Sequence, residues 1–209
     1  TIPYRIYGGL RFFERQEIKD ALAYLRMINH PLDDAAFERV VNTPTRGMGD
    51  KTLSQIREIA RDTEQSMWQT SVMMLQEKRL NGRASNALQG FVDLIMNMSN
   101  DIKPLPLDKQ ADHVIKESGL VAMYQAEKGE KAKARVENLE ELVTACKQFE
   151  VPEEADDMTP LSAFLAHASL EAGEGQAEKH QDAVQMMTIH TAKGLEFSLV
   201  FLAGVEEGM

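Results

Sequence analysis

Apolar residues return at intervals of three and four along most of this chain, and that period constrains the fold more than any other feature. Ile18, Ala21, Leu22, Leu25 and Ile28 have it within Glu14 to Ile28. Leu53, Ile56, Ile59 and Ala60 have it within Asp50 to Ala60. Leu88, Phe91, Val92, Ile95 and Met98 follow it in Ala84 to Met98, and Val136, Leu139, Leu142, Val143 and Cys146 in Arg135 to Phe149. Residues so spaced share one face of an α-helix, so each segment must bury a stripe against its neighbours. The stops and starts agree with this reading. Asn29-His30-Pro31 ends the first segment, and Asp33 can cap a helix that buries Phe37, Val40 and Val41. Ser66 can cap another with Met67, Trp68, Val72 and Leu75. Asp101 to Leu107 is a proline-rich connector, and Ser118-Gly119 separates helices over Leu107 to Glu117 and Leu120 to Glu127. Thr159-Pro160 is an N-cap hydroxyl with proline at the first helical position, ahead of Leu161, Phe164, Leu165 and Ala168.

The two ends are different. Arg5-Ile6-Tyr7 reads as the end of a strand, with Gly8-Gly9 permitting a sharp change of direction. After a polar, glycine-bearing connector at Gly173 to His180, Val184 to Ile189 is a β run, and Leu199 to Val205 fits a buried parallel strand. Such strands cannot form a sheet core alone. Their partners lie outside the chain or in Arg5 to Tyr7, so the ends are expected to be pieces of a larger α/β domain around a helical insertion.

Composition narrows the chemistry. With 209 residues, of which 43% are hydrophobic, the chain can bury a core, and 12 Met against 6% aromatics suits helix packing. The formal charge of −10 argues against a protein that coats nucleic acid generally. Residues 1–60, however, carry nine Lys and Arg against eight Asp and Glu, so any DNA contact belongs in that third or in a local loop. The acidic stretch Glu150 to Asp157 would repel phosphate and is expected to face solvent or protein. The one cysteine, Cys146, reads as a buried apolar residue. No apolar run nears the ~18 residues needed to span a membrane, and Thr1 to Arg5 does not read as a signal peptide. A cytoplasmic protein with no membrane partner is expected. The histidines show no metal-ligand spacing, and no Gly-x-x-x-x-Gly-Lys-Ser/Thr phosphate loop occurs.

Polar chemistry concentrates in two places. Met187 to Phe197, Met-Thr-Ile-His-Thr-Ala-Lys-Gly-Leu-Glu-Phe, sets a hydroxyl, an imidazole, an amine, a glycine and a carboxylate at the end of a strand, as a ligand-handling loop does. Thr45-Arg46-Gly47-Met48-Gly49-Asp50-Lys51-Thr52 places Gly-x-Gly ahead of a helix, where N–H groups and the positive end of the helix dipole suit a phosphate; Arg46 and Lys51 add charge, and Thr45 and Thr52 add hydroxyls. By itself Gly-x-Gly is more readily a plain turn.

The first block resembles motif V of the superfamily-one DNA helicases of the UvrD/Rep/PcrA group, T-x-H-x-A-K-G-L-E-F, and matches it at Thr188, His190, Ala192, Lys193, Gly194, Leu195, Glu196 and Phe197. Ile2 to Asp20 is similar to the segment by which these helicases leave their second RecA-like domain. Within the group the resemblance is strongest to the UvrD type. It implies a mainly α chain: a helical 2B subdomain over 10–181 inserted in a partial RecA-like domain 2A, represented by short strands in 1–9 and 182–209. It further implies part of an ATP-dependent 3′-to-5′ DNA helicase of DNA repair, with ATP and Mg used by the parent enzyme but neither bound by this fragment, which would be inactive alone. Thr188 and His190 would hold phosphate oxygens of single-stranded DNA, and Gly194 would allow close approach. Glu196 would accept a hydrogen bond from the ATP ribose, and Gly194 would lie beside that nucleotide. For Lys193 two roles stand, binding phosphate or fixing the loop through a carboxylate. Arg11 with Phe12 and Phe13 could track the single strand, although both rings equally suit a core anchor. Gly47-Met48-Gly49 resembles the Gly-Ile-Gly element pressed against duplex DNA, with Met48 as the apolar filler. Implied partners are a duplex–single-strand junction, the missing RecA-like domains and DNA repair proteins. The alternative is a protein-interaction or autoinhibitory module of a related helicase or RecB-type subunit.

Overall fold

The apolar periodicity becomes nine α-helices among the described residues of a computed structural model, which describes 4–7, 12–152, 155, 157–173, 184–187 and 192–203. The chain divides into two compact units, Phe12–Gly175, and Thr1–Arg11 with Gln176–Met209. The helicase resemblance implies junctions at 9/10 and 181/182.

In the helical unit, a 3-10 turn at Phe12–Glu14 leads into α1 (Gln16–Asn29). Then come α2 (Asp34–Val40), α3 (Asp50–Asp62), α4 (Met67–Gln76) and α5 (Gly82–Asp101). They are followed by α6 (Leu107–Glu117), α7 (Leu120–Ala126), α8 (Glu130–Gln148) and α9 (Pro160–Gly173). The expected caps form. The Asp33 side chain accepts from the Ala36 N–H at 2.9 Å, and Ser66 and Gln69 close a capping box on α4. Thr159 Oγ1 accepts from the Ser162 N–H at 3.2 Å. Helix α8 starts five residues before the periodic stretch, behind Gly129, whose φ of +106° suits a residue without Cβ.

Helix α1 is the hub, packed by α2, α5, α6, α8 and α9. It is buried nearly all round, and two of its buried residues are acids, Glu17 at 5% exposure and Asp20 at 3%. Buried carboxylates require partners. Asp20 pairs with Arg39 Nε at 2.7 Å and accepts from the Tyr124 hydroxyl at 3.2 Å; Glu17 accepts from Asn138 Nδ2 and faces Arg135 Nε at 3.9 Å. This network stitches α1 to α2, α7 and α8. Arg15 donates to Asn138 Oδ1 and lies 3.7 Å from Glu141, both on α8. Phe12 and Phe13 pack against the core, Phe13 edge-on to Phe164 with centroids 6.3 Å apart. Cys146 is buried, and burial pushes its thiol up to about 12, so it packs as an apolar side chain.

In the other unit, β1 (Tyr4–Tyr7) pairs in parallel with β2 (Val184–Met187), Tyr4 opposite Val184 and Tyr7 opposite Met187. The sequence left open whether the partner lay within the chain; for β2 it does. The second expected strand, Leu199 to Val205, does not form over its described residues: 199–203 has no ladder, and Leu199, Phe201 and Leu202 are exposed. Its residues have strand propensity but no neighbour among the described residues to share a ladder with, and propensity without cross-strand pairing does not make a strand. Residues 204 and 205, and the expected connector from 174 onward, lie outside the described residues.

Candidate nucleic-acid interface

The Gly-Met-Gly turn is built between α2 and α3 by three anchors. Met48, at 3% exposure, drops into the core as the apolar filler. Asn42 spans the loop, its Nδ2 donating to the Met48 carbonyl at 2.9 Å and its Oδ1 accepting from the Arg46 N–H at 2.8 Å. Gly47 has φ +81°, a left-handed conformation that favours glycine. Gly49 does not share that need. Its φ is −83°, and a Cβ there would meet nothing within 4 Å, so it serves as an ordinary N-cap for α3. Of the two glycines, only Gly47 has a positive φ.

Outward, the turn offers donors and charge. Among the described residues the N–H groups of 47–51 have no acceptor, and they lie at the dipole-positive end of a helix of 13 residues. Thr45 and Lys51 are exposed, Thr52 is half-buried, and Asp50 in the first turn offsets part of the positive potential. A second cation, which sequence reasoning missed, joins them. Arg83, exposed in the first turn of α5, lays its guanidinium over Gly47, where a Cβ would come within 3.2 Å of Nε. Neither Lys51 nor Arg83 has an ion-pair partner among the described residues. No local pattern links position 83 to position 47, so the sequence held no signal for it.

Arg46 departs from expectation. It is read from sequence as a phosphate contact, yet its guanidinium turns inward. Nη1 donates to the carbonyls of Val40 at 3.0 Å and Pro44 at 3.1 Å, and Nη2 to the Tyr24 hydroxyl and to the Ser118 carbonyl at 3.3 Å. Its plane lies over Phe91 at 5.4 Å. Tyr24, also missed, donates its own hydroxyl to the Thr43 carbonyl at 2.6 Å, and burial pushes that phenol up to about 12.

In the strand-bearing unit, residues 192–195 form a turn closed by Leu195 N–H to Ala192 C=O at 3.0 Å. Gly194 has φ +87° at the third position, where type II turns take a positive φ. Lys193 and Glu196 are exposed beside it. Thr188, His190 and Arg11 lie outside the described residues. In the helical unit a surface groove of about 530 Å³ lies between α2, α3 and α4; its Glu38 and Arg57 pair at 2.5 Å, and it contains none of the predicted site residues.

The helical unit thus carries a glycine turn beside Lys51 and Arg83, and the strand-bearing unit a polar turn at 192–195. Over residues 1–209 the chain matches the UvrD-like helicase C-terminal domain, and it belongs to that family. It is 62% identical across its whole length to DNA helicase II of Escherichia coli K12, and 37% identical to the ATP-dependent DNA helicase PcrA of Bacillus subtilis. It is also 35% identical to the ATP-dependent DNA helicase UvrD1 of Mycobacterium tuberculosis H37Rv. The chain covers all of itself in each match but only 29%, 28% and 29% of these relatives, each of which is a much longer protein. Among the described residues, no helix is long and apolar enough to cross a membrane.

Proposed function

We propose that this chain is the 2B subdomain, with two pieces of RecA-like domain 2A, of a cytoplasmic ATP-dependent 3′-to-5′ DNA helicase of DNA repair. In that parent the helical unit grips duplex DNA and regulates unwinding, while the turn after β2 couples single-stranded DNA to the nucleotide. The observation that carries the duplex reading is the joint presence, at one turn, of N–H groups without an acceptor and of two cations, Lys51 and Arg83, without an ion-pair partner among the described residues. Phosphate oxygens satisfy both at once. Thr45 and Thr52 add hydroxyl donors at the rim, and Met48 supports the turn from below.

The chain does not by itself fit ATP or Mg. Its sequence lacks the phosphate loop, and no group of three or more His, Cys, Asp or Glu among the described residues could hold a metal. Both belong to the rest of the parent, and the fragment alone is inactive in this reading. The part left to this chain is Glu196, as acceptor for a ribose hydroxyl beside Gly194, with Thr188, His190, Lys193 and Arg11 toward the single strand. In this reading the acidic helical unit also docks repair proteins.

The test is equilibrium binding of the full-length protein to a duplex–single-strand junction across a salt series. Lys51→Ala and Arg83→Ala should each weaken junction binding and flatten the slope of log K against log salt by about 0.9, the value for one lost phosphate contact. Binding to a plain single strand should change far less. Unchanged affinity and slope in both variants would reduce the turn to a helix cap.

A further inference from the structure

Arg46 lies at the base of the turn with almost nothing left to offer a ligand. A guanidinium has five N–H donors, and here the donors of both terminal nitrogens go to carbonyls and a phenol supplied by three separate parts of the helical unit. Val40 and Pro44 belong to the α2–α3 segment, Tyr24 to α1, and Ser118 to the α6–α7 junction. One face of the cation is covered by Phe91. The same residue's backbone N–H is held by Asn42, and the next residue is Gly47, the left-handed position over which Arg83 lies. Displacing the Arg46 side chain therefore unlocks the backbone that aims the N–H groups of 47–51.

We propose that Arg46 is a positioning residue, which acts on duplex DNA through the turn it fixes and not through its charge on a phosphate, and that Tyr24 is its partner in this. The proposal rests on the duplex-contact reading of the turn. Lysine cannot replace it, because an ammonium offers one point of charge where the site requires a planar fork reaching acceptors on different sides.

Two measurements on the full-length protein separate the possibilities: junction binding across a salt series, and amide hydrogen exchange of residues 42–53 without DNA. Arg46→Ala should lower junction affinity about tenfold, equal to ~1.4 kcal/mol, with the salt slope unchanged and exchange of the turn amides accelerated. Arg46→Lys should not rescue it. Tyr24→Phe, which removes no charge, should give a smaller loss with the same unchanged slope. The proposal is overturned if Arg46→Ala flattens the slope as Lys51→Ala does while Arg46→Lys binds normally, since Arg46 then touches phosphate. It is overturned equally if Arg46→Ala leaves affinity and exchange untouched. Should Arg46→Ala fail to fold, Tyr24→Phe decides: faster exchange with weaker binding at constant slope supports the tether, and wild-type behaviour rejects it. Insensitivity of the slope to Lys51→Ala and Arg83→Ala, with exchange still accelerated by Arg46→Ala, would sink the duplex reading and not the tether.

Discussion

The turn at Gly47 and the turn at Gly194 share a backbone device, a glycine at φ +81° in one and +87° in the other, and differ in what stands behind it. Behind Gly47 are a buried methionine, an asparagine bridging the loop, an arginine with its donors engaged and the aromatic floor of Phe91, itself packed edge-on against Phe37 at 5.5 Å. Behind Gly194 the described residues offer one turn hydrogen bond, and the chain that follows exposes Leu199, Phe201 and Leu202. The first turn is pre-organised by its own unit. The second belongs to a unit whose apolar surface is uncovered among the described residues, and in the proposed parent the rest of the RecA-like domain supplies the cover. Pre-organisation of a binding turn is therefore a property of the surrounding core, and a glycine pattern alone does not provide it.

The largest test of this contrast is a pair of phenylalanines. Phe91 is fully buried, so Phe91→Ala should destabilise the helical unit by ~3–5 kcal/mol. Phe201 is 85% exposed, and Phe201→Ala in the 209-residue chain should stay within about 0.5 kcal/mol. Denaturant unfolding of both variants checks it. A comparable loss for Phe201→Ala would mean that the second unit has a core of its own, and the comparison would collapse.

A smaller effect sharpens the comparison within one turn. Gly47→Ala forces a Cβ into a left-handed conformation beside Arg83 and should destabilise by about 1–2 kcal/mol, with weaker junction binding. Gly49→Ala meets neither obstacle and should change stability by about 0.5 kcal/mol, the difference between glycine and alanine as an N-cap. Equal losses of junction binding in the two, with Gly49→Ala as stable as predicted, would show that Gly49 is needed for close approach of a ligand.

Helices and caps were legible because each is decided within a few residues. Asp33, Ser66 and Thr159 cap where local chemistry says they should, and the core stripe of α5 is the periodic set Leu88, Phe91, Val92, Ile95 and Met98. What was not legible depends on pairs far apart in the chain. Arg83 reaches Gly47, and Arg46 reaches Tyr24 and Ser118, through the tertiary fold alone. Charged residues were the hardest to place, because a sequence marks Arg46, Glu17 and Asp20 as polar without saying whether water or protein satisfies them. Both turns have a positive φ at a glycine of a motif visible in the sequence, but the sequence could not say which arginine near Gly47 faces outward.

Asp20 gives the smallest effect and the most specific sign. Burial raises its carboxyl above the ordinary value, Arg39 and the Tyr124 hydroxyl pull it back, and Glu17 on the same helix raises it further. Arg135, which lies over the Tyr124 ring at 5.2 Å, completes the charges around the site. Because the folded state holds this proton more tightly than the unfolded chain, the site's contribution to stability is fully present below the unfolded value near ~3.9 and is lost as pH rises through the raised folded value. Ordinary ion-paired carboxylates, whose folded pKa values are depressed, behave in the opposite sense. Asp20→Asn removes the titration while keeping an acceptor for Tyr124, and half-exposed Arg39 can turn to water. The stability difference, wild type minus variant, should therefore grow in favour of the wild type as pH falls through that window, with the contributions common to both chains cancelling. Urea unfolding at several pH values measures it. A difference that shrinks on acidification would mean that the Arg39 pair outweighs burial, and that the Asp20 network holds α1 to α2 by net attraction between charges.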